Sequence, residues 1–422
     1  MQTLAFTALY YLSQSPQCEG LFRDRIIFSN VLKLDWGLFP ATGLLSPHSS
    51  NIEAGSIHGV NEGTLFDVYE TTAIDINRTK PLCRVRAHNV DVFNTKATKV
   101  ESSAVKMGFA RMVCSGNTLK VYFSPAFLRV VSKSVVPHSM KDIVKEVKDA
   151  AIADFLIDVE DESLKGGQLK NRGSVVFTTA LKIVKDHGFG RLLQTDVPTD
   201  PERVIRVLQA ASKWKQHVES SNSPKWVKKI HIDFFLLKGS DTGFEPSAPI
   251  NDGMNQASIV VGSQNEPYGM TIRNESTLNL YVSIVVFETE DLQIGMLCIH
   301  VVRLILTFEL LLVSWYNSPI GVGSKGDADP PLPSKRYMPI GYGDGGVVPF
   351  MFDPPRNGAT VTFLKLYFTT IPMDLRWLEQ ASPFTAEETR GMKRQEEIKR
   401  CLATGEPNGA TILFPIAQKA SS

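Results

Sequence analysis

The chain has 422 residues, of which 43% are hydrophobic and 21% are charged. This composition excludes a wholly disordered chain, a collagen and a small disulfide-stapled protein. The 45 lysines and arginines nearly balance the 44 aspartates and glutamates, and a net charge of +1 provides no strong field for nucleic acid or an anionic membrane surface. At about 150 residues per domain, the length predicts roughly two to four domains.

Cysteine usage indicates a reducing, cytoplasmic compartment. The five cysteines lie far apart and form no C-x-x-C pair. Zinc ribbons and fingers use this C-x-x-C spacing, so we expect neither. The eight histidines form no H-E-x-x-H motif. No motif therefore assigns a metal, a cofactor or a catalytic residue. The apolar stretch at residues 4–12 lacks a positive n-region and a small-residue cleavage site, so we expect no signal peptide.

The N-terminal third of the chain predicts short strands separated by turns. Residues 25–28 (RIIF) fit a short buried strand, and residues 31–51 lack periodicity and are interpreted as a linker. A small β-rich domain is expected over residues 52–131, with one strand candidate at residues 64–69. A second candidate alternates apolar with polar positions through Leu119, Val121 and Phe123.

An α/β region is expected over residues 139–240, beginning with a helix near Ser139. A longer helix is predicted from residues 199–202 (TDPE), which combine a capping box with an early proline. We interpret Lys213 and Lys215, on the outer face of this helix, as a solvated surface. The apolar residues of the helix share one face and predict core packing: Val204, Val207, Leu208, Ala211 and Val218.

Strand-like alternation returns after the long helix. In residues 229–236 the apolar positions alternate with His231 and Asp233, which we interpret as the polar outer face of a strand rather than a catalytic pair. A β-sandwich is expected over residues 250–384, followed by a helix and tail over residues 385–422. Alternating apolar residues mark its strands: Met270 and Ile272; Leu278, Leu280, Val282, Ile284 and Val286; Leu364, Leu366 and Phe368.

The patterns that could carry chemistry are weak. Glycine-rich residues 321–326 and 341–346 lack the order of a phosphate-binding loop and open no predicted helix, so we interpret them as turns. His58 precedes Cys114 by 56 residues, near the spacing of base and nucleophile in caspase-like sequences. The residues around Cys114 (MVCSG) match no such nucleophile context, and Cys18 has no histidine upstream. We expect no Cys–His dyad within this chain.

Residues 294–313 (IGMLCIHVVRLILTFELLLV) form an apolar run that is long enough to span a bilayer. The run contains Arg303 and Glu309, and a charge near the centre of a span costs about 2.5–3.5 kcal/mol on insertion scales. The run also interrupts the alternation of apolar and polar residues that predicts the β-sandwich. A membrane span is therefore the less favoured interpretation.

Several blocks of the chain, in order, resemble the large caspase-domain (metacaspase-like peptidase) proteins of basidiomycete fungi. Residues 15–30 (SPQCEGLFRDRIIFSN) are similar to the end of the catalytic domain in that family, and residues 54–69 to the segment that follows it. The other matching blocks are residues 197–201 (VPTDP), 340–350 (IGYGDGGVVPF), 363–366 (FLKL) and 382–384 (SPF).

The resemblance implies that the family's catalytic histidine and cysteine lie upstream of the P-Q-C-E-G turn, so neither His58 nor Cys18 inherits a catalytic role. Residues 1–30 would be a remnant of the caspase-like domain, and the whole chain an accessory, regulatory or interaction region of a fungal cysteine endopeptidase. Its expected partners are proteins or the parent caspase-like domain, not nucleic acid and not a membrane. Two alternatives stay open: an active endopeptidase when the upstream segment is present, and a membrane-anchored binding protein through residues 294–313.

The apolar run yields a prediction about the gene. In the family pattern a D-L-x-I strand end continues almost directly into an aromatic-x-P segment, but here residues 295–314 intervene, twenty residues or sixty nucleotides. We expect this stretch to be translated intron, with a membrane span and a buried helix as rivals. Sequencing the mature mRNA tests it. A spliced message that keeps the sixty nucleotides, or a deletion variant that no longer folds, would show that the run belongs to the protein.

Overall fold

The strands and helices predicted above indicate an α+β protein, mostly antiparallel β with a few helices. The computed structural model shows a protein built mostly of antiparallel β-sheet with few helices, in agreement with this class. The predicted strand at 25–28, the glycine run at 321–326 and the terminal helix after residue 384 lie outside the described residues. The structure describes residues 38–44, 50–71, 79–100, 107–114, 116, 118–130, 140, 143–159, 174–187, 197–198, 201–240, 243–251, 253–262, 266–297, 332–342, 349–356, 358–371, 375, 378–384 and 408–421.

The first unit is a closed antiparallel barrel with the strand order β1-β2-β5-β4-β3-β6. Its strands are β1 (Leu38–Thr42), β2 (Ser50–Ile52), β3 (Leu65–Tyr69), β4 (Cys83–Val90), β5 (Thr95–Lys99) and β6 (Met107–Cys114). β3 confirms the strand expected at residues 64–69. The linker interpretation of residues 31–51 is wrong where β1 and β2 form. Both strands are short, and Pro40 has no backbone N–H to donate within β1. The local sequence pattern is therefore weak, and the strands are defined by their pairing within the barrel.

The second unit is a mixed sheet with the order β11-β10-β9-β7-β8. Its elements are β7 (Leu119–Phe123), α1 (Pro125–Val130), β8 (Val144–Glu146), β9 (Phe155–Val159), β10 (Ser174–Thr179), α2 (Lys182–Lys185) and β11 (Val197–Pro198). The alternation expected through Leu119 and Phe123 is confirmed in β7. Ser139, where a helix was expected to begin, lies outside the described residues; by Val144 the chain forms a strand whose backbone pairs in parallel with Leu119 and whose side chain is buried.

The long helix α3 (Pro201–Glu219) begins at the proline that the sequence indicated. All five residues of its predicted apolar face are buried. A 3-10 turn (Lys225–Lys229) follows and leads into the next sheet. Within the described ranges, no helix is both long and apolar enough to cross a bilayer.

The third unit is a two-layered sandwich, which was expected over residues 250–384 but also includes two strands before this range and one after it. Its strands are β12 (Ile230–Ser240), β13 (Gly243–Pro249), β14 (Ala257–Val261), β15 (Tyr268–Asn274), β16 (Tyr281–Glu288), β17 (Ile294–Met296), β18 (Tyr337–Ile340), β19 (Ala359–Thr369) and β20 (Gly409–Ala420). One sheet has the order β13-β12-β15-β18 and the other β14-β20-β19-β16-β17. Phe234 of β12 fills the space between them, stacked on Tyr268 at 5.6 Å and packed against Phe414 at 5.8 Å.

The apolar run at residues 294–313 begins inside this sandwich. Ile294 and Met296 belong to β17, which pairs antiparallel with β16 at the edge of the sheet. Both side chains are buried, and so is that of Leu297. From residue 298 the run lies outside the described part of the chain. Its first residues therefore serve as an edge strand.

Helix α3 lies between the mixed sheet and the second sheet of the sandwich, and one continuous core joins all three. Trp214, which is fully buried, packs edge-on against Phe287 of β16 and Phe363 of β19, each at 5.9 Å between ring centroids. For this reason almost every residue of β19 is buried, on both faces of the strand. The helix thus connects the second and third units through apolar contact.

We expect Trp214→Ala to lower the free energy of unfolding by about 3–5 kcal/mol, because it leaves a large cavity between α3 and the sandwich. Urea denaturation followed by circular dichroism measures the loss. Trp226→Ala is the matched control: this tryptophan is only partly buried, so its loss should be less than half as large. Equal losses for the two variants would contradict the central position given to Trp214.

Candidate functional site

Polar groups converge at the C-terminal end of α3. Lys365 of β19 is 1% exposed, and its Nζ donates hydrogen bonds to the carbonyl oxygens of His217 and Ser220 and, at 2.8 Å, to Ser220 Oγ. The last carbonyls of a helix have no partner within the helix and carry the negative end of its dipole. A lysine from the neighbouring sheet therefore satisfies them here.

The Lys365–Ser220 contact is an anchor in its present geometry, not a nucleophile with its base. Burial lowers the pKa of the Lys365 ammonium to about 7, which is the range of a general base. However, Ser220 Oγ donates its own hydrogen bond to His217 O at 3.0 Å and only accepts from Lys365. A nucleophilic serine must instead give its proton to the base. The pair consequently fixes the helix end.

A cavity of about 830 Å³ opens beside this helix end. Polar side chains dominate the part of its wall that faces solvent, including Ser221, Ser223, Lys228 and Asn255. Arg273, also in the wall, is held at 2.9 Å by Asp233. We call this cavity the recess. Its hydroxyl, amide and ammonium groups suit a polar or charged ligand group.

Lys228, which lines the recess, belongs together with Lys225 and Lys229 to the 3-10 turn after α3. All three are exposed, and we call them the lysine ridge. None of them forms an ion pair with another described residue. The balanced total charge conceals this local basic surface. In the sequence, the run P-K-W-V-K-K at residues 224–229 is the signal of this basic surface.

The residues considered as a Cys–His dyad have structural neighbours instead. His58 lies in a 3-10 turn (Ser56–His58), where its Nδ1 accepts a hydrogen bond from the Gly55 N–H at 3.0 Å and its ring packs 5.0 Å from Phe39. The backbone of Cys114 pairs with Leu65 at the end of β6. These contacts of His58 involve the barrel backbone and an aromatic ring.

The polar pair on β12 lies where the sequence predicted. His231 is exposed and lies 3.4 Å from Glu275, and Asp233 is paired with Arg273. Both belong to the outer face of the first sandwich sheet. Asp233 lines the recess, but as the partner of an arginine.

The interpretation of Lys213 and Lys215 as a solvated surface is wrong. Lys215 is 6% exposed, forms a 2.7 Å ion pair with Asp154 and donates to Thr118 O at 3.2 Å. Burial lowers the pKa of Lys213 to about 8, opposed by the nearby carboxylate of Glu379. Because α3 has sheets on both sides, Lys215 meets the mixed sheet rather than water, and Lys213 donates to Glu379 O at 3.3 Å.

Neither metal chemistry nor a known relative defines this site. Among the described residues, no group of three or more histidine, cysteine, aspartate or glutamate side chains is placed to hold a metal ion. Comparisons with family models, curated proteins and solved structures find no match to this chain. Any functional conclusion therefore depends on the residues themselves.

The buried lysine predicts a pH dependence of stability. Burial lowers the pKa of Lys365 from 10.5 to about 7, so between these values the unfolded chain holds a proton that the folded chain lacks, and the free energy of unfolding rises with pH. Relative to Lys365→Met, we expect the wild type to gain about 2 kcal/mol between about pH 7.5 and 9.5. Urea unfolding at both pH values measures this gain.

Lys238→Met, at an exposed position on β12, is the matched control and should keep the wild-type slope. A Lys365→Met variant whose stability follows the same pH dependence as the wild type would contradict the prediction.

Proposed function

We propose that this chain is an accessory, interaction region of a caspase-like cysteine endopeptidase and contributes no Cys–His dyad of its own. The ordered sequence blocks that resemble the fungal family support the class of protein. The hydrogen bond from Gly55 to His58 and the packing of its ring on Phe39 support a structural role for this histidine. Under this proposal, hydrolysis belongs to a separate catalytic domain.

The observation that carries an interaction role is the lysine ridge beside the recess. Three adjacent ammonium groups without an ion pair among the described residues attract negative charge, and the recess adds hydroxyl and amide groups for backbone or carboxylate oxygens. The partner that fits is an acidic, extended protein segment, supplied by the parent caspase-like domain or by another protein. Charge complementarity of this kind mainly sets the association rate and the choice of partner.

A fluorescein-labelled peptide of alternating glutamate and serine tests this surface by fluorescence anisotropy. We expect binding to the wild type that weakens at least about tenfold when Lys225, Lys228 and Lys229 are changed to glutamate, and that weakens with salt because the ridge is exposed. Changing the exposed Lys96, Lys145 and Lys148 to glutamate makes the same change in net charge elsewhere and should leave most of the binding.

Two outcomes would overturn the proposal. Equal losses of binding in the two triple variants would show that the ridge acts only through the net charge of the protein. Tighter binding of a DNA duplex than of the peptide would favour nucleic acid as the ligand. In parallel, hydrolysis of substrates with arginine or lysine before the cleaved bond, lost in Cys114→Ala, would show an active peptidase within this chain.

A further inference from the structure

The barrel touches helix α3 at a point where a side chain would not fit. Gly59, with φ of +79°, follows the turn that carries His58. A Cβ atom at Gly59 would lie 2.7 Å from Cε1 of His217, and Gln216 Nε2 donates to Gly59 O at 2.9 Å. The barrel backbone is therefore in direct contact with the last turn of α3.

A second loop of the barrel completes the interface. Val92 and Phe93 are buried in the core shared with α3, and a Cβ atom at Gly409 of β20 would lie 2.6 Å from Val92 Cγ1. Asn222, just after α3, donates to Asp91 Oδ1 at 3.3 Å. The docked position of the barrel thus depends on two close backbone approaches and few polar contacts.

Three cationic or protonatable groups act on the His217 ring by electrostatic repulsion. They are His58 of the barrel, Lys213 of the preceding turn of α3, and Lys365 of β19. His217 is 4% exposed. The carboxylate of the docking loop, Asp91, already accepts from the Val92 N–H at 2.7 Å and from Asn222.

Adding a positive charge to this interface would destabilise the docked barrel by electrostatic repulsion. Lys213 has Glu379 nearby, whereas the three polar atoms bound by Lys365 Nζ are two carbonyls and a hydroxyl, none of which is an anion. A proton on His217 would add a charge beside these two lysines in a region shielded from water, where repulsion is screened weakly. The neutral imidazole is therefore the form that fits the docked barrel.

We propose that His217, together with His58, is a pH-sensitive latch: the neutral rings hold the barrel against α3, and protonation in mildly acidic solution releases it. This inference concerns the contact between two units of the chain and goes beyond the proposed binding function. The released state exposes the turn at His58 and the last turn of α3.

The direction of the effect follows from linkage. Burial first, and then the charges of Lys213, Lys365 and His58, hold the pKa of His217 well below its ordinary value of 6.5 while the barrel is docked. In the released state the ring meets water and takes up a proton near that ordinary value. Below about pH 6.5 the released state therefore binds more protons, and docking weakens about tenfold per pH unit for each histidine that titrates.

Hydrogen–deuterium exchange of the whole chain, read by mass spectrometry and corrected for the intrinsic effect of pH, tests the latch. Between about pH 7.5 and 5.5 we expect the protection of residues 55–60 and 214–222 to fall about tenfold or more, while β7 and β9 change little. His217→Gln keeps a neutral polar side chain and should reduce this pH dependence to the share contributed by His58. His88→Gln, at an exposed position on β4, should keep it.

A wild type without local deprotection at low pH, or a His217→Gln variant that behaves like the wild type, would overturn the proposal. Because that variant could fold poorly, the rate of exchange at the imidazole Cε1–H, measured against pH on the wild type, provides a second readout. It should report a pKa for His217 below the ordinary histidine value of 6.5. A pKa for His217 at or above that ordinary value would also overturn the latch.

Discussion

Enclosure of helix α3 between two sheets is the constraint on which the rest of the structure depends. A helix at a protein surface can leave half of its side chains in water, whereas α3 must give nearly every side chain a partner. Trp214 packs against the sandwich, and Lys215 meets Asp154 of the mixed sheet. The terminal carbonyls receive Lys365 from β19. Since a buried charge is stable only when paired or hydrogen-bonded, these contacts fix how the helix and its two neighbouring sheets meet.

Secondary-structure elements were predicted well from the sequence where one face of the element is buried and the other is exposed to solvent. β7 and β12 alternate because their two faces meet different surroundings, and the apolar face of α3 has helical spacing for the same reason. The failures lie where tertiary contacts override this rule. Lys215 appears solvated only when the mixed sheet is ignored, and Val144 forms a strand because Leu119 offers a parallel partner.

The candidate site was harder to predict than the fold. Lys365 and Ser220 are 145 residues apart, and nothing in the local pattern of either indicates that they meet. Alternation placed Lys365 on the polar face of β19, which would expose it, and the covering helix reverses that expectation. The lysine ridge is different, since its charges lie within five consecutive residues and could have been recognised in the sequence. Short-range charge patterns are readable from sequence, whereas a buried polar cluster assembled from distant segments is not.

The two features to which we assign proposed roles at the end of α3 differ in their exposure to solvent. The ridge is exposed, so its proposed attraction for an acidic segment would fall with ionic strength over a Debye length of about 10 Å at 0.1 M salt. His217 is shielded from water, so salt screens its repulsion from Lys213 and Lys365 far less. Lys365 links the two features, because it holds the carbonyl of His217 and that of Ser220 in the wall of the recess. Under the two proposals, salt would act mainly on the binding of a partner and acid mainly on the docking of the barrel, although both features lie at the same helix end.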